Sequence, residues 1–262
     1  MARSETRTHY SRAILIFLGL FLRFARAKLP PIHTRNSIFF VHTSAEEKIS
    51  DVARCSIEST ARKNPGRRII LYSNGWPVHK TSMIHPNVYV TRYNVSEILE
   101  DYPFFLSWYH SNKWKQGFPI NNLANALRLV ILHQSREGTY MDLDMLSFQS
   151  LDLVGENAIG VEATRSLQKS HTVDSDKLIV NSAILANFND NSTYLANLLS
   201  DFINDFAGTR WGHNGPKLLT RTLQKNAQGL DASVYDGHTF FPVHWNDIRL
   251  FFDPAAQHVT FL

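Results

Sequence analysis

The chain predicts an α/β sandwich built around a mostly parallel central sheet. Three observations carry this reading. From Ser37 onward, short apolar runs alternate with segments of helical spacing, and glycine, asparagine and proline turns punctuate them. Of the 262 residues, 44% are hydrophobic and 19% charged, enough apolar material for one large core. No repeat or low-complexity run interrupts the pattern, and a single cysteine excludes a disulfide-stapled scaffold.

Ala13 to Leu22 is an unbroken apolar stretch flanked by arginines. It is shorter than the roughly 20 residues that span a bilayer, and it suits a signal-peptide core or a short anchor with Arg23 at the interface. Residues 1–12 read as a cytosolic tail, 13–24 as a membrane anchor or signal segment, 25–36 as a stem stiffened by Pro30 and Pro31, and 37–262 as the folded body. The sequons Asn94-Val-Ser and Asn191-Ser-Thr agree with a glycosylated, lumenal body.

Ser37–His42 reads as the first buried strand, residues 48–62 as a helix with Ile49, Val52, Ala53, Ile57 and Ala61 on one face, and Ile69–Tyr72 and Val88–Thr91 as further strands. Cys55 on that helix reads as a small buried hydrophobe. The aromatic segment 103–118 suits either core packing or a lid. Asn121-Asn122 reads as the cap of a helix whose stripe is Leu123, Ala126, Leu127, Val130 and Ile131. After the Gly138 turn, Thr139 to Met145 reads as a strand. Leu178–Ala186 is another, helices follow from Thr193 to Phe206 and from Pro216, and the segment from Phe240 onward is loop-like.

Charge narrows the partners. The net charge is +4, yet the first 35 residues hold seven basic groups and one acid, so the remainder carries a small negative excess. A nucleic-acid footprint on the body is therefore excluded.

Asp142-Leu-Asp144 is the sharpest chemical signal. Strand alternation puts both carboxylates on one side and Met141, Leu143 and Met145 on the other, a pairing that holds a hard divalent cation and through it a diphosphate. Such triplets also arise by chance, and Asp174-Ser-Asp176 is a second one; without a strand ahead of it, it reads as a solvated loop. A phosphatase of the haloacid dehalogenase type also places Asp-x-Asp after a strand, but its nucleophile belongs near the first strand.

The block from Asn125-Ala-Leu-Arg128 through Gly138-Thr-Tyr-Met-Asp142-Leu-Asp144 resembles the donor-binding core of the α-1,4-glycosyltransferases, the family of the lactosylceramide 4-α-galactosyltransferases and their insect relatives. Cys55 to Arg62, Asn181-Ser-Ala-Ile-Leu-Ala186, Trp211-Gly-His-Asn-Gly-Pro through Arg221, and Phe240-Phe-Pro-Val-His-Trp245 resemble further segments of that family. The resemblance spans residues 38 to about 253 and points to an insect-type member. It implies a GT-A fold and a hexosyltransferase that moves galactose or N-acetylgalactosamine from UDP in α-1,4 linkage to a glycosphingolipid. The family is retaining, uses manganese, and is anchored as a single-pass type II protein of the Golgi membrane with its body in the lumen.

Position by position, the resemblance makes Asp142 and Asp144 the metal pair, with Asp144 the more direct ligand. Asn125, Arg128, Asp142 and Asn181 bind the donor, while His213 and Asn214 stand on the acceptor side as catalytic candidates. Front-face attack with Asn214 near the reacting centre is the favoured course. Three departures accompany it. Asn125 stands where an aspartate is usual, the turn Gln134-Ser-Arg-Glu-Gly138 is one residue longer, and no later His-Val-Trp-Asn segment follows, so that the resemblance implies a C-terminally shortened form. The rival reading is a catalytically impaired member that binds sugar nucleotide, glycolipid or a partner glycosyltransferase.

Overall fold

The computed structural model describes residues 36–44, 48–75, 85–162, 179–225 and 231–243, with 229, 247 and 249. All belong to the compact unit Thr34–Leu262. The expected tail, membrane segment and stem up to residue 35, Asp174 and Asp176, Leu178, His244 and Trp245 lie outside the described residues. Among those residues, no helix is long and apolar enough to cross a membrane.

Seven strands form one sheet: β1 (Ser37–His42), β2 (Ile69–Ser73), β3 (Val88–Thr91), β4 (Glu137–Met141), β5 (Ala158–Val161), β6 (Val180–Asn189) and β7 (Ser233–Tyr235). Their order is β3-β2-β1-β4-β6-β5-β7. The pairs among β3, β2, β1 and β4 are parallel, as is β5 with β7, and β6 runs antiparallel to both its neighbours. The expected mostly parallel α/β sandwich is therefore present, with one reversed strand in its middle.

Alternation along the strands divides the core. Phe39, Val41, Ile70, Tyr140, Leu185 and Phe188 face one side, where Trp108, Leu127 and Phe202 meet them. Ile38, Phe40, Ile69, Leu71, Met141 and Ile184 face the other, against Ile57 and Ala61. Strands buried on both faces read as continuous apolar runs, which is why β1 and β2 are legible in sequence.

The helix α1 (Asp51–Lys63) starts at Ser50, whose Oγ accepts from the Ala53 N–H at 3.1 Å. Its buried face is Ala53, Ser56, Ile57, Thr60 and Ala61, whereas Val52 is exposed. Cys55 is exposed too, correcting its expected burial, because it lies about 200° around the helix from Ala53.

Two short helices, α2 (Val95–Ile98) and α3 (Pro103–His110), precede the longest one, α4 (Pro119–Gln134). In α3, Phe105 and Trp108 pack on Phe202 at 5.2 and 5.3 Å, so the core reading holds for them, while Phe104 stays exposed. The expected cap Asn121-Asn122 is displaced. Pro119 sets the first helical turn with Phe118 ahead of it, and Asn122 is inside the helix. In the turn after α4, Arg136 takes a left-handed φ of 60°, a conformation that favours glycine. Gly138 then seats β4 against β1, since a Cβ there would lie 2.4 Å from Ser135 Oγ and 3.0 Å from Phe39.

The remaining helices are α5 (Thr193–Asn204), α6 (Pro216–Lys225) and the short α7 (Gly237–Phe240). Asp231 ties the start of α5, accepting from the Tyr194 N–H at 3.0 Å, the Thr193 hydroxyl at 3.0 Å and the Thr193 N–H at 3.2 Å. Burial alone would raise the Asp231 carboxyl, but these donors outweigh it and hold it below the ordinary carboxylate range. A depressed native pKa stabilises the fold above the unfolded value of about 3.9, and that stability is lost as pH falls through the native value. Asp231→Asn should therefore cost about 1 kcal/mol at pH 7 and flatten the stability profile below about pH 4. Urea melts of both proteins across pH 2–7 check this, and parallel profiles would refute it.

Candidate functional site

The site forms where β4 ends against α4 and β6. The strand stops at Met141, and the Asp142 N–H donates to the Ala183 carbonyl at 2.8 Å, fixing the first carboxylate at the sheet's edge. Asp144 sits one turn further on, since the Met145 N–H bonds back to the Asp142 carbonyl. The expected strand through Met145 is thus four residues too long. Leu143 and Met145 still pack with Met141 on the far face, so the carboxylates are kept out of the core.

Arg128 is the buried charge behind this turn. It is 6% exposed, donates to the Ser182 carbonyl at 2.5 Å, pairs with Asp142 Oδ1 at 3.2 Å, and lies 4.6 Å over the Tyr140 ring. The Tyr140 hydroxyl donates to the same Oδ1. Desolvation raises the Asp142 carboxyl, Arg128 and Tyr140 pull it down, and Asp144 pushes it up again; the net direction is upward. Tyr140 is also raised, chiefly by burial. Among the described residues both side-chain contacts to Asp142 fall on Oδ1, which leaves Oδ2 open.

A cleft of about 190 Å³ opens beside this turn. That is below the roughly 300–1,000 Å³ of ordinary ligand sites, the scale of a sugar ring rather than of a whole sugar nucleotide. Of the residues expected from sequence, Asn125, Arg128, Asp142, Asn181 and Asn214 line it; Asp144 and His213 do not. The Asn181 Oδ1 is used internally, accepting from the Ala183 N–H at 2.8 Å. Asn214 is 3% exposed, and its amide is spent on Ala207 and on Asn122 Oδ1, at 3.0 to 3.1 Å. His213 turns away, with Nε2 at 2.7 Å from the Asp205 carbonyl oxygen and 3.2 Å from its carboxylate. Both residues thus hold the 207–216 loop in shape.

Arg210, Phe118, Asn121 and Ser182, none of them expected as site residues, also line the cleft. Trp211, which the sequence leaves open between core and sugar platform, lines it too and stands 65% exposed. Tyr140 was readable, since it shares a strand face with Asp142. Asn122 was misread as a cap. It joins three stretches of chain by donating to the carbonyls of Trp114, Gln116 and Gly208 at 3.1, 2.8 and 3.2 Å. Gly215 presses the loop onto the floor, because a Cβ there would come within 3.1 Å of both Asn125 Oδ1 and Ser182 Oγ.

Among the described residues no cluster of three or more His, Cys, Asp or Glu side chains forms a metal cage. The donor set suits a different arrangement. An anchored carboxylate with one open oxygen and an exposed neighbouring carboxylate give hard oxygen ligands for a divalent cation completed by phosphate and water.

Two family models match in succession: "glycosyltransferase sugar-binding region containing DXD motif" over residues 50–165, and "alpha 1,4-glycosyltransferase conserved region" over residues 187–261. Mouse (Mus musculus) lactosylceramide 4-alpha-galactosyltransferase is 27% identical over 248 residues, covering 87% of this chain and 64% of that protein. Human (Homo sapiens) alpha-1,4-N-acetylglucosaminyltransferase is 23% identical over 243 residues, covering 84% and 66% respectively. The chain thus spans slightly less than two thirds of the length of these relatives. Among solved structures, the PaToxG glycosyltransferase superposes with a TM-score of 0.50 at 20% identity, covering 75% of this chain and 71% of its own. Mouse xyloside xylosyltransferase 1 gives 0.50 at 14% identity, with 78% and 86% covered. These likenesses establish the GT-A fold.

Proposed function

The chain belongs to the α-1,4-glycosyltransferases that carry a DXD sugar-binding region, and from that membership we propose that it transfers one hexose from a UDP-sugar to a glycosphingolipid. The donor sugar is galactose or N-acetylgalactosamine, the new linkage is α-1,4, and configuration at the anomeric carbon is retained. One observation carries the reading. A carboxylate locked by Arg128 and Tyr140, with Oδ2 open and Asp144 beside it, borders a cleft of sugar-ring size.

Asp142 and Asp144 would hold the divalent cation, manganese in this reading, which when bound neutralises charge on the diphosphate. Arg128 lines the cleft, fixes Asp142 and adds positive potential behind the leaving group. Among the described residues lining the cleft, Asp142 is the sole carboxylate, and its Oδ1 is already engaged. This supports front-face attack over a covalent enzyme intermediate. The acceptor hydroxyl oxygen bonds to the anomeric carbon as the carbon–phosphate oxygen bond breaks, and the hydroxyl proton passes to the departing phosphate. The open amides of the cleft wall, Asn121 and Asn125, orient the sugar hydroxyls.

We place the body in the Golgi lumen behind the segment 13–24. The exposure of both Asn94 and Asn191 supports that placement.

The test is manganese-dependent UDP release with UDP-galactose, UDP-N-acetylgalactosamine and UDP-N-acetylglucosamine, each with and without lactosylceramide. Acceptor-stimulated turnover with one of the first two donors is expected. A preference for the third would revise the donor. Silence from folded protein that still binds UDP would favour the binding-only reading instead.

A further inference from the structure

We propose that Trp211 is the platform on which the acceptor's terminal sugar stacks, and that it sets acceptor affinity without contributing to donor binding. This rests on the glycosyltransferase reading above. Trp211 is 65% exposed, although an indole is among the costliest side chains to leave in water. The loop that carries it is nevertheless tied down. The Lys217 N–H donates to the Gly212 carbonyl at 3.0 Å, Arg221 Nη1 donates to the His213 carbonyl at 2.6 Å, and Asn214 joins the loop to Ala207 and to Asn122 on α4. Gly212 turns the chain directly after the indole with φ +70°. Phe118 steadies the ring from one side, with centroids 5.1 Å apart and planes at 71°. An aromatic surface held rigid and left open has the form of a ligand contact.

The surrounding groups specify the ligand's chemistry. A pyranose has an apolar face of C–H groups and a rim of hydroxyls. The cleft offers the indole for the first, and Asn121 and Arg210 beside it for the second. An acyl chain would leave those polar groups unmatched. The location assigns the ring to the acceptor. Asp142 and the buried Arg128 fix the diphosphate end of the donor at the floor, so the exposed wall meets the sugar that arrives from solvent with its lipid trailing outward.

The experiment uses the full chain and two separate binding titrations, methyl β-lactoside by saturation-transfer NMR and UDP with manganese by calorimetry. Trp211→Ala should weaken lactoside binding by about tenfold or more, and Trp211→Phe should keep most of it. Neither variant should change UDP affinity, and both should melt with the parent because the ring is exposed. Unchanged lactoside binding in Trp211→Ala, or an equal loss of UDP binding, would overturn the proposal. Wild-type protein that binds UDP but no lactoside would overturn it while leaving the proposed reaction standing. Protein that binds neither would sink both.

Discussion

Asp144→Asn should abolish turnover and leave the fold intact, whereas Asp142→Asn should damage both. The two carboxylates are neighbours in sequence but not in environment. Asp144 is exposed and makes no ion pair among the described residues, so its amide replaces a solvated group at little cost to stability. Its charge is what the proposed cation needs, and losing it should lower UDP release by at least about 100-fold. Asp142 is also the counter-ion of Arg128, which is only 6% exposed and already carries an Nε without a hydrogen-bond partner. Neutralising Asp142 leaves that guanidinium short of its charge partner, at about 1.5–3 kcal/mol, or a fall in Tm of about 4–10 °C. Scanning calorimetry beside the UDP-release assay separates the two effects. Arg128→Ala combined with Asp142→Ala should then cost less than the sum of the single losses, because the pair acts as a unit. Equal melting of both asparagine variants would refute this division of roles.

Much of this site was legible because its signals are local. The strands β1, β2 and β3 are short apolar runs bounded by turns, and alternation alone puts Tyr140 and Asp142 on one side and Met141 on the other. What escaped was non-local or at a boundary. β7 has three residues, and β5 is as short as β3 but carries Gly160 and Ala158 where β3 is Val-Tyr-Val-Thr, so neither reads as a strand on its own. The end of β4 depends on where β6 stops pairing, and Asp142 is the last residue it holds. His213 and Asn214 sit in the most distinctive segment of the sequence, and in the fold their hydrogen bonds shape the loop that presents Trp211. Arg128 reads in isolation as a misplaced charge on an apolar helix. Its meaning comes from Ser182, 54 residues away on β6, and from Asp142 at the end of β4.

Asn122→Ala should be the most damaging single change in the loop's scaffold, and its functional signature should fall on the acceptor. Asn122 is 3% exposed, and its amide nitrogen serves three carbonyls while its oxygen accepts from Asn214 Nδ2 at 3.1 Å. Truncation strands those groups in a largely buried site. At about 1–3 kcal/mol for each group left unpaired, and with partial relaxation, the loss should be about 3–5 kcal/mol, near 10 °C in Tm. Asn122→Asp should do no better, since it sets a second acceptor against the same carbonyls. Asn122 touches Gly208 and Asn214, the two ends of the stretch that carries Trp211, whereas Asp142 is held by Tyr140, Ser182-bound Arg128 and Ala183. Below its melting point, the alanine variant should therefore show a raised KM for lactosylceramide with a nearly unchanged KM for the UDP-sugar. If the two constants moved together, the cleft would be one rigid body, and the separation between an anchored donor floor and a clamped acceptor wall would be wrong.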